Sequence, residues 1–177
     1  MKWEVGIVSI IKVLMMPKFR YSIIGMDPDT TAKGSAREVH ASPKETLEVC
    51  AAIRNMRLSK AKEYLEAVIQ KKKPVPFRIH KKKVAHRRGL SKWYAGRYPV
   101  KSASEILKVL RNVEANAEAK GLDVDGLKII HAVTHKGRSI RKNIPRAFGR
   151  STPYYENLVH IEIIVSQLGL GEMEEVL

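Results

Sequence analysis

Cysteine is almost absent from this chain: Cys50 is the single one in 177 residues. One thiol excludes an intrachain disulfide framework and a cysteine-built zinc cluster. Cys50 falls on the apolar stripe of a helical pattern, where a buried thiol packs as a small hydrophobe. Long apolar runs are lacking too. Only Val5 to Met15 approaches one, and Ser9 and Lys12 interrupt it. It is too short to cross a bilayer and lacks the small-residue cleavage pattern of a secretory leader, so no membrane segment is expected. There is no glycine-rich phosphate loop with its Lys-Ser/Thr pair, no HExxH and no GxSxG. Those absences remove three common routes to hydrolytic chemistry. His131 and His135 are four apart on an alternating stretch, which separates them by about 13 Å at roughly 3.3 Å per residue. One metal ion cannot hold both, and we expect no catalytic residue, no metal and no cofactor.

The absence with the most consequence is that of acids from two stretches. The formal net charge is +15, from 33 Lys and Arg against 18 Asp and Glu. Lys71 to Lys101 holds 12 basic residues and no acid, and Leu127 to Pro153 holds 7 more and no acid. The rest carries 14 basic against 18 acidic residues. A nearly neutral body with two basic arms attracts a polyanion and releases its counterions, the main affinity term for nucleic acid. Elsewhere the acids lie on helical stretches beside cations, as Glu63 and Glu66 do beside Lys60 and Lys62, which reads as a solvated face.

Apolar residues make up 44% of the chain, enough for a core. Phe19 to Ile24 reads as a short strand ended by the turn formers Gly25 to Asp29, and Thr30 to His40 reads as extended. Ser42-Pro43-Lys44-Glu45 predicts a capped helix start with proline at its first position. Ser59 predicts a second start, with Ala61, Leu65, Val68 and Ile69 on one stripe and Lys71-Lys72-Lys73-Pro74 as its stop. Lys73 to Val100 has neither period and carries Phe77, Trp93, Tyr94 and Tyr98 among its cations. Ser102 to Glu105 predicts a third capped helix, closed by Lys120-Gly121. From Leu127 the period becomes two. Ile129, His131, Val133 and His135 are expected on one face, and so are Val159, Ile161, Ile163 and Val165. The simplest arrangement is an extended hairpin over 127–166 whose distal part, Lys136 to Asn157, stands out by roughly 35 Å at 3.3 Å per residue. Residues 1–15 read as an N-terminal extension upstream of Met16, 16–167 as one domain, and 168–177 as an acidic tail.

The candidate site residues are those that suit RNA. In the first arm they are Lys81, Lys82, Lys83, Arg87, Arg88, Lys92, Trp93 and Arg97. In the second they are Lys136, Arg138, Arg141, Lys142, Arg146 and Arg150. Arginine forks onto phosphate and stacks on bases, glycines such as Gly137 and Gly149 allow close backbone approach, and Phe148, Tyr154 and Tyr155 offer stacking surfaces. For the aromatics, packing in a satellite core under the loop is an equal alternative. No zinc finger, basic zipper or RRM pattern is present, which favours a protein embedded in folded RNA over a sequence-reading regulator.

Arg141-Lys142-Asn143-Ile144-Pro145-Arg146-Ala147-Phe148-Gly149-Arg150, followed after nine residues by His160-Ile161-Glu162-Ile163-Ile164-Val165, resembles the signature of the large-subunit ribosomal protein L-twenty-two family. In the older eukaryotic numbering the family is seventeen. The Ser42-Pro43-Lys44 helix start and the Asn116-Ala117-Glu118 helix end are similar as well. The likeness covers about Met16 to Gln167, and 71–101 resembles an insertion of archaeal members. The resemblance implies an α+β fold, with three helices packed on a small antiparallel sheet and a long protruding β-hairpin. It implies a cytoplasmic, ribosome-bound structural protein of the large subunit that is not an enzyme. Its partners would be large-subunit ribosomal RNA, neighbouring large-subunit proteins and the nascent polypeptide. The body would sit near the polypeptide exit and the hairpin would line the tunnel, with Arg141, Pro145, Arg146, Ala147, Gly149 and Arg150 as tip residues. The alternative from another class is a free nucleic-acid-binding regulator or chromatin-like protein.

Overall fold

The computed structural model describes residues 20–167; the expectations for 1–15 and 168–177, and for Phe19, lie outside them. Strand β5 (Ser151–Gln167) is the centre of a three-stranded antiparallel sheet, with β1 (Thr31–Val39) on one edge and β4 (Leu127–Pro145) on the other. Three helices, α1 (Pro43–Ile53), α2 (Leu58–Ile69) and α3 (Val100–Ala119), cover one face. A two-stranded ladder, β2 (Val75–Pro76) with β3 (Gly96–Arg97), lies in the first basic stretch. This is the expected α+β architecture: three helices on an antiparallel sheet, with β4 and β5 running on as a hairpin.

The helices form where apolar spacing dictates. Ala103, Ile106, Leu110, Val113 and Ala117 recur at three and four residues along α3, and all are fully buried. They meet Ile161, Ile163 and Val165 of β5, together with Ala32 of β1. Gly34 lets β1 approach α3, because a Cβ there would overlap the Val113 side chain. The end of α3 is tied to β1 by Asn116 Nδ2 donating to the Lys33 carbonyl at 2.9 Å, and by Lys120 Nζ donating to Pro28 and Thr31 carbonyls.

Several local expectations are corrected. Residues 20–24 are not a strand; the strand is Thr31–Val39. Both sides of β5 are taken, by β1 and β4, and residues 20–24 pair with neither outer strand. It is held on the other face of the sheet instead. The Ser22 amide and hydroxyl both donate to the buried Glu162 carboxylate, at 3.0 and 2.8 Å. Ser42 does precede α1 with Pro43 at the first position, but its hydroxyl makes no cap bond. Helix α2 begins one residue before Ser59. Helix α3 begins at Val100 behind Pro99, whose fixed φ suits a helix start, so Ser102 is inside the helix, where its buried hydroxyl accepts from Thr46. Lys62 pairs with Glu114 of α3 rather than with its own helix.

The alternation in β4 is broken at Ile130 by a bulge between Ile129 and His131. One extra residue flips everything beyond it to the opposite face. Leu127 and Ile129 therefore face the helices, and so do Ala132 and Thr134, with the Thr134 hydroxyl 3.2 Å from Cys50 Sγ. His131, Val133 and His135 pair with Ile164, Glu162 and His160 on the other face. The expected single face of Ile129, His131, Val133 and His135 is thus split, whereas Ile161, Ile163 and Val165 share one face as expected.

The first basic stretch is an ordered lobe rather than an aperiodic loop. Phe77 is 2% exposed. Glu48 of α1, 1% exposed, accepts from the amides of Arg78, Ile79 and His80 at 3.0, 2.9 and 2.7 Å. Three converging amides form a fixed cradle for one carboxylate, and that carboxylate pins the lobe to the body.

Two outcomes follow. Glu48→Gln replaces one of the accepting oxygens with a donor and leaves a buried amide unpaired. It is expected to lower unfolding free energy by about 2 to 4 kcal/mol in urea denaturation, with faster hydrogen exchange at residues 78–80. His131 has its pKa lowered from 6.5, because burial disfavours the cation and Arg54 repels it. The unfolded chain then takes up that proton more readily than the folded one. The stabilisation is present above about pH 6.5 and is lost as pH falls from there through the lower folded-state pKa. Melting followed from pH 7.5 to 5.5 should show a decline that is shallower in His131→Gln.

Candidate nucleic-acid interface

The two arms expose their cations by different means. In the lobe, backbone bonds from Phe77 to Ala95, from Arg87 to Tyr94 and from Gly96 to Ala85 strap the chain across itself. Trp93 belongs to this scaffold. Its indole donates to the Phe77 carbonyl at 2.9 Å, one face stacks on Tyr94 with centroids 5.2 Å apart, and Lys81 lies 5.5 Å from its centroid. Arg87 packs over Tyr98 and Arg97 over Phe77, with Glu45 at 4.0 Å from Arg97. The satellite-core alternative therefore describes Phe77 and Trp93. Lys82, Lys83, Arg88 and Lys92 are exposed and have no acidic partner among the described residues. Lys83 and Lys92 sit at positive φ, 56° and 57°, as does Gly89 at 89°. Left-handed backbone keeps this part of the lobe tightly turned.

The second arm is the hairpin beyond Lys136. Pairs run from Ser139↔Asn157 to Pro145↔Ser151, and residues 141–155 are all exposed. At about 3.3 Å per residue, the ten residues from Lys136 to Arg146 carry the tip roughly 33 Å outward. The arm's own sequence lacks acids up to Pro153, but the fold brings two to its root. Arg138 forks onto Glu38 at 3.1 and 3.2 Å. Lys142 Nζ lies 2.6 Å from Glu156, which also takes His40 at 2.8 Å. Hydrogen bonds from Lys142 and then His40 pull the Glu156 carboxyl down to about 2.

Arg141, beside Lys142, has no acid, and beyond Lys142 the compensation stops: Arg150 has none, and Arg146 Nε donates only to the Thr152 hydroxyl at 3.2 Å. The tip is a tight turn closed by the Arg146 amide on the Arg150 carbonyl at 2.8 Å, with Phe148 and Gly149 at φ 56° and 64°. A non-glycine residue in that region is costly, and Phe148 is 97% exposed. Pro145, Arg146, Ala147, Gly149 and Arg150 are thus brought together at the tip. Arg141 is not: it pairs with Tyr155, four residues down the shaft, about 13 Å at 3.3 Å per residue.

Two open cavities join the arms around the start of α1. One of about 480 Å³ is lined by Lys44, Phe77, Lys82 and Arg97, and one of about 360 Å³ by His40, Lys101, Tyr154 and Tyr155. Ser42 and Glu45 border both. Lys44, Lys101 and His40 were not among the sequence candidates. Only the fold shows that Lys44 lines one cavity with Arg97, and that His40 lines the other with Lys101 and Tyr155.

Nothing in this geometry suits catalysis. Ser22, His131 and Glu162 resemble a nucleophile, base and acid, with Ser22 Oγ 2.9 Å from His131 Nε2. The one hydroxyl proton goes to Glu162, so Ser22 accepts from His131, the reverse of a base drawing a proton from serine. Among the described residues no group of His, Cys, Asp and Glu is placed to hold a metal ion, and no helix is long and apolar enough to cross a membrane.

The family model described as "Ribosomal protein L22p/L17e" matches residues 34–166. The chain is 50% identical over 149 residues to the "Large ribosomal subunit protein uL22" of Archaeoglobus fulgidus, covering 84% of this chain and 96% of that one. It is 54% identical over 158 residues to the protein of that name from Methanopyrus kandleri, covering 86% and 99%. With its relative in Methanocaldococcus jannaschii the identity is 46% over 155 residues, covering 88% and 99%. With the family model spanning most of the chain and relatives near half identical over nearly their full length, the chain belongs to the ribosomal protein L22p/L17e family.

Proposed function

We propose that this chain is a structural constituent of the large ribosomal subunit that holds separate segments of large-subunit ribosomal RNA together. The lobe and the hairpin would contact different RNA segments. The body would lie near the polypeptide exit beside neighbouring large-subunit proteins, and the hairpin would line the nascent-chain tunnel. The observation that carries this reading is the hairpin. About 33 Å of paired strand at 3.3 Å per residue has no core of its own, and its distal cations have no acid to meet. Such an arm reaches stable order by packing into a partner, and the partner its charge selects is a polyanion. Folded RNA meets both needs, with phosphates for the arginines and unpaired bases for Phe148, Tyr154 and Tyr155. A free duplex-reading regulator would need an element that enters a groove and reads base edges; the exposed element here is a two-stranded arm ending in one aromatic.

Ultraviolet cross-linking in cells, with sequencing of the attached RNA, is expected to return several separate segments of large-subunit ribosomal RNA, including one joined to peptides around Arg146. The Arg146→Glu, Arg150→Glu variant should lose the tip cross-link and bind that RNA at least tenfold more weakly near 0.15 M salt. An equal reversal on the solvent face of α3, Lys108→Glu with Arg111→Glu, should bind nearly as the parent. Cross-links scattered over messenger RNA or DNA would overturn the reading.

A further inference from the structure

The body is not uniformly neutral. Where the chain turns from α1 into α2, an open cavity of about 510 Å³ is floored by Met56 and Tyr64 and rimmed by Arg57, Lys60, Lys73 and one acid, Glu63. Met56, Tyr64 and Lys73 also line a second cavity, of about 390 Å³, that runs on toward the lobe at Leu90. The two form one groove on the α2 side, separate from the groove around the start of α1.

Two features of this groove call for an anion, and a third suits a base. Arg57 Nε is buried with no hydrogen-bond partner, the one side-chain nitrogen or oxygen so placed among the described residues. A buried donor without an acceptor is rare in native structures, and this one belongs to a side chain that lines the groove. Lys60 and Lys73 are exposed and without acidic partners, although Lys62, two residues from Lys60, is paired with Glu114. The floor, in contrast, is apolar and fixed. Tyr64 is half-buried, and its hydroxyl donates to the Pro74 carbonyl at 3.2 Å. Burial pushes its pKa up to about 12, so it stays a neutral donor. The backbone of adjacent Arg57 is anchored by its bridge to Lys128 of β4.

We propose that this groove is a third RNA-binding site, taking an unpaired nucleotide whose phosphate meets Arg57, Lys60 and Lys73 and whose base lies on Met56 and Tyr64. The proposal rests on the RNA-binding reading above and extends it to the α2 side of the body, where Lys73 of the first basic stretch meets Arg57 and Lys60. A single peptide carboxylate would also satisfy Arg57, but it would leave most of the rim's charge unmatched. A continuous phosphate chain matches it and leads along the groove to the lobe.

The test is titration of the full chain with a large-subunit ribosomal RNA transcript at several potassium chloride concentrations. Arg57→Ala with Lys60→Ala is expected to weaken binding about tenfold near 0.15 M salt and to make the log–log salt slope shallower by roughly 1.5, the loss of two phosphate contacts. Tyr64→Leu is expected to weaken binding with no change in slope. Lys60→Ala alone, at an exposed position, keeps the test valid if the double variant melts early. Parent-like affinity and slope in these variants, with the Arg146→Glu, Arg150→Glu variant still weakened, would overturn this site and leave the broader reading standing. Parent-like binding by the tip variant as well would overturn both. Unchanged RNA binding with lost co-assembly of a neighbouring protein would assign the groove to an acidic peptide and overturn the nucleotide site.

Discussion

A small number of carboxylates holds a strongly cationic chain in shape, and their placement decides which cations remain available. Glu48 gathers three amides of the lobe, and Glu45 stands beside Arg97 at its exit. Glu38 and Glu156 take Arg138 and Lys142 at the root of the hairpin. Each of these acids lies where an arm leaves the body. Like charges crowded at such a junction would push the arm off its base. Away from these acids, Lys82, Lys83, Arg88, Lys92, Arg141 and Arg150 have no acidic partner among the described residues. The exposed salt bridges contribute little to stability individually. Their effect is on direction: they fix the line along which each arm leaves.

The same division separates aromatics that build from aromatics that are offered. Phe77 and Trp93 are consumed inside the lobe, and cations over their rings rigidify it. Phe148, Tyr154 and Tyr155 stay in solvent on the hairpin. A lobe with its own small core can present lysines from fixed positions, so less ordering entropy is lost on binding. The hairpin has no such core, and its order depends more on what surrounds it.

Much of this was legible in the sequence. Apolar spacing located all three helices, and alternation with a change of period located β4 and β5. The ten-residue signature ending at Arg150 identified the hairpin tip. What was not legible came from partners distant in sequence. Residues 20–24 have strand-like composition, yet Ser22 is held by the Glu162 carboxylate, distant in sequence, and not by a strand edge. Ser42, Ser59 and Ser102 suited helix caps by type, but Pro99 and the burial of Ser102 against α1 moved the third start. The role of Trp93 turned on a carbonyl sixteen residues away. Lys60 looked compensated because Glu63 follows it in sequence, whereas the acid that matters locally, Glu114, belongs to another helix and serves Lys62. Composition shows how much charge a chain has; only the fold shows which charges neutralise one another.

The extra residue at Ile130 sets the phase of everything beyond it. From His131 to the tip, which side of the ribbon a residue faces is reckoned from that point, and β5 keeps the count because its partners are fixed pair by pair. A second irregularity, between Lys136 and Ser139, resets the count once more at the root of the free shaft. The shaft can therefore gain or lose length without turning over only in steps of two residues on each strand. A change of one would send Arg141 and Tyr155 to the opposite side of the ribbon while leaving their spacing in the sequence almost untouched.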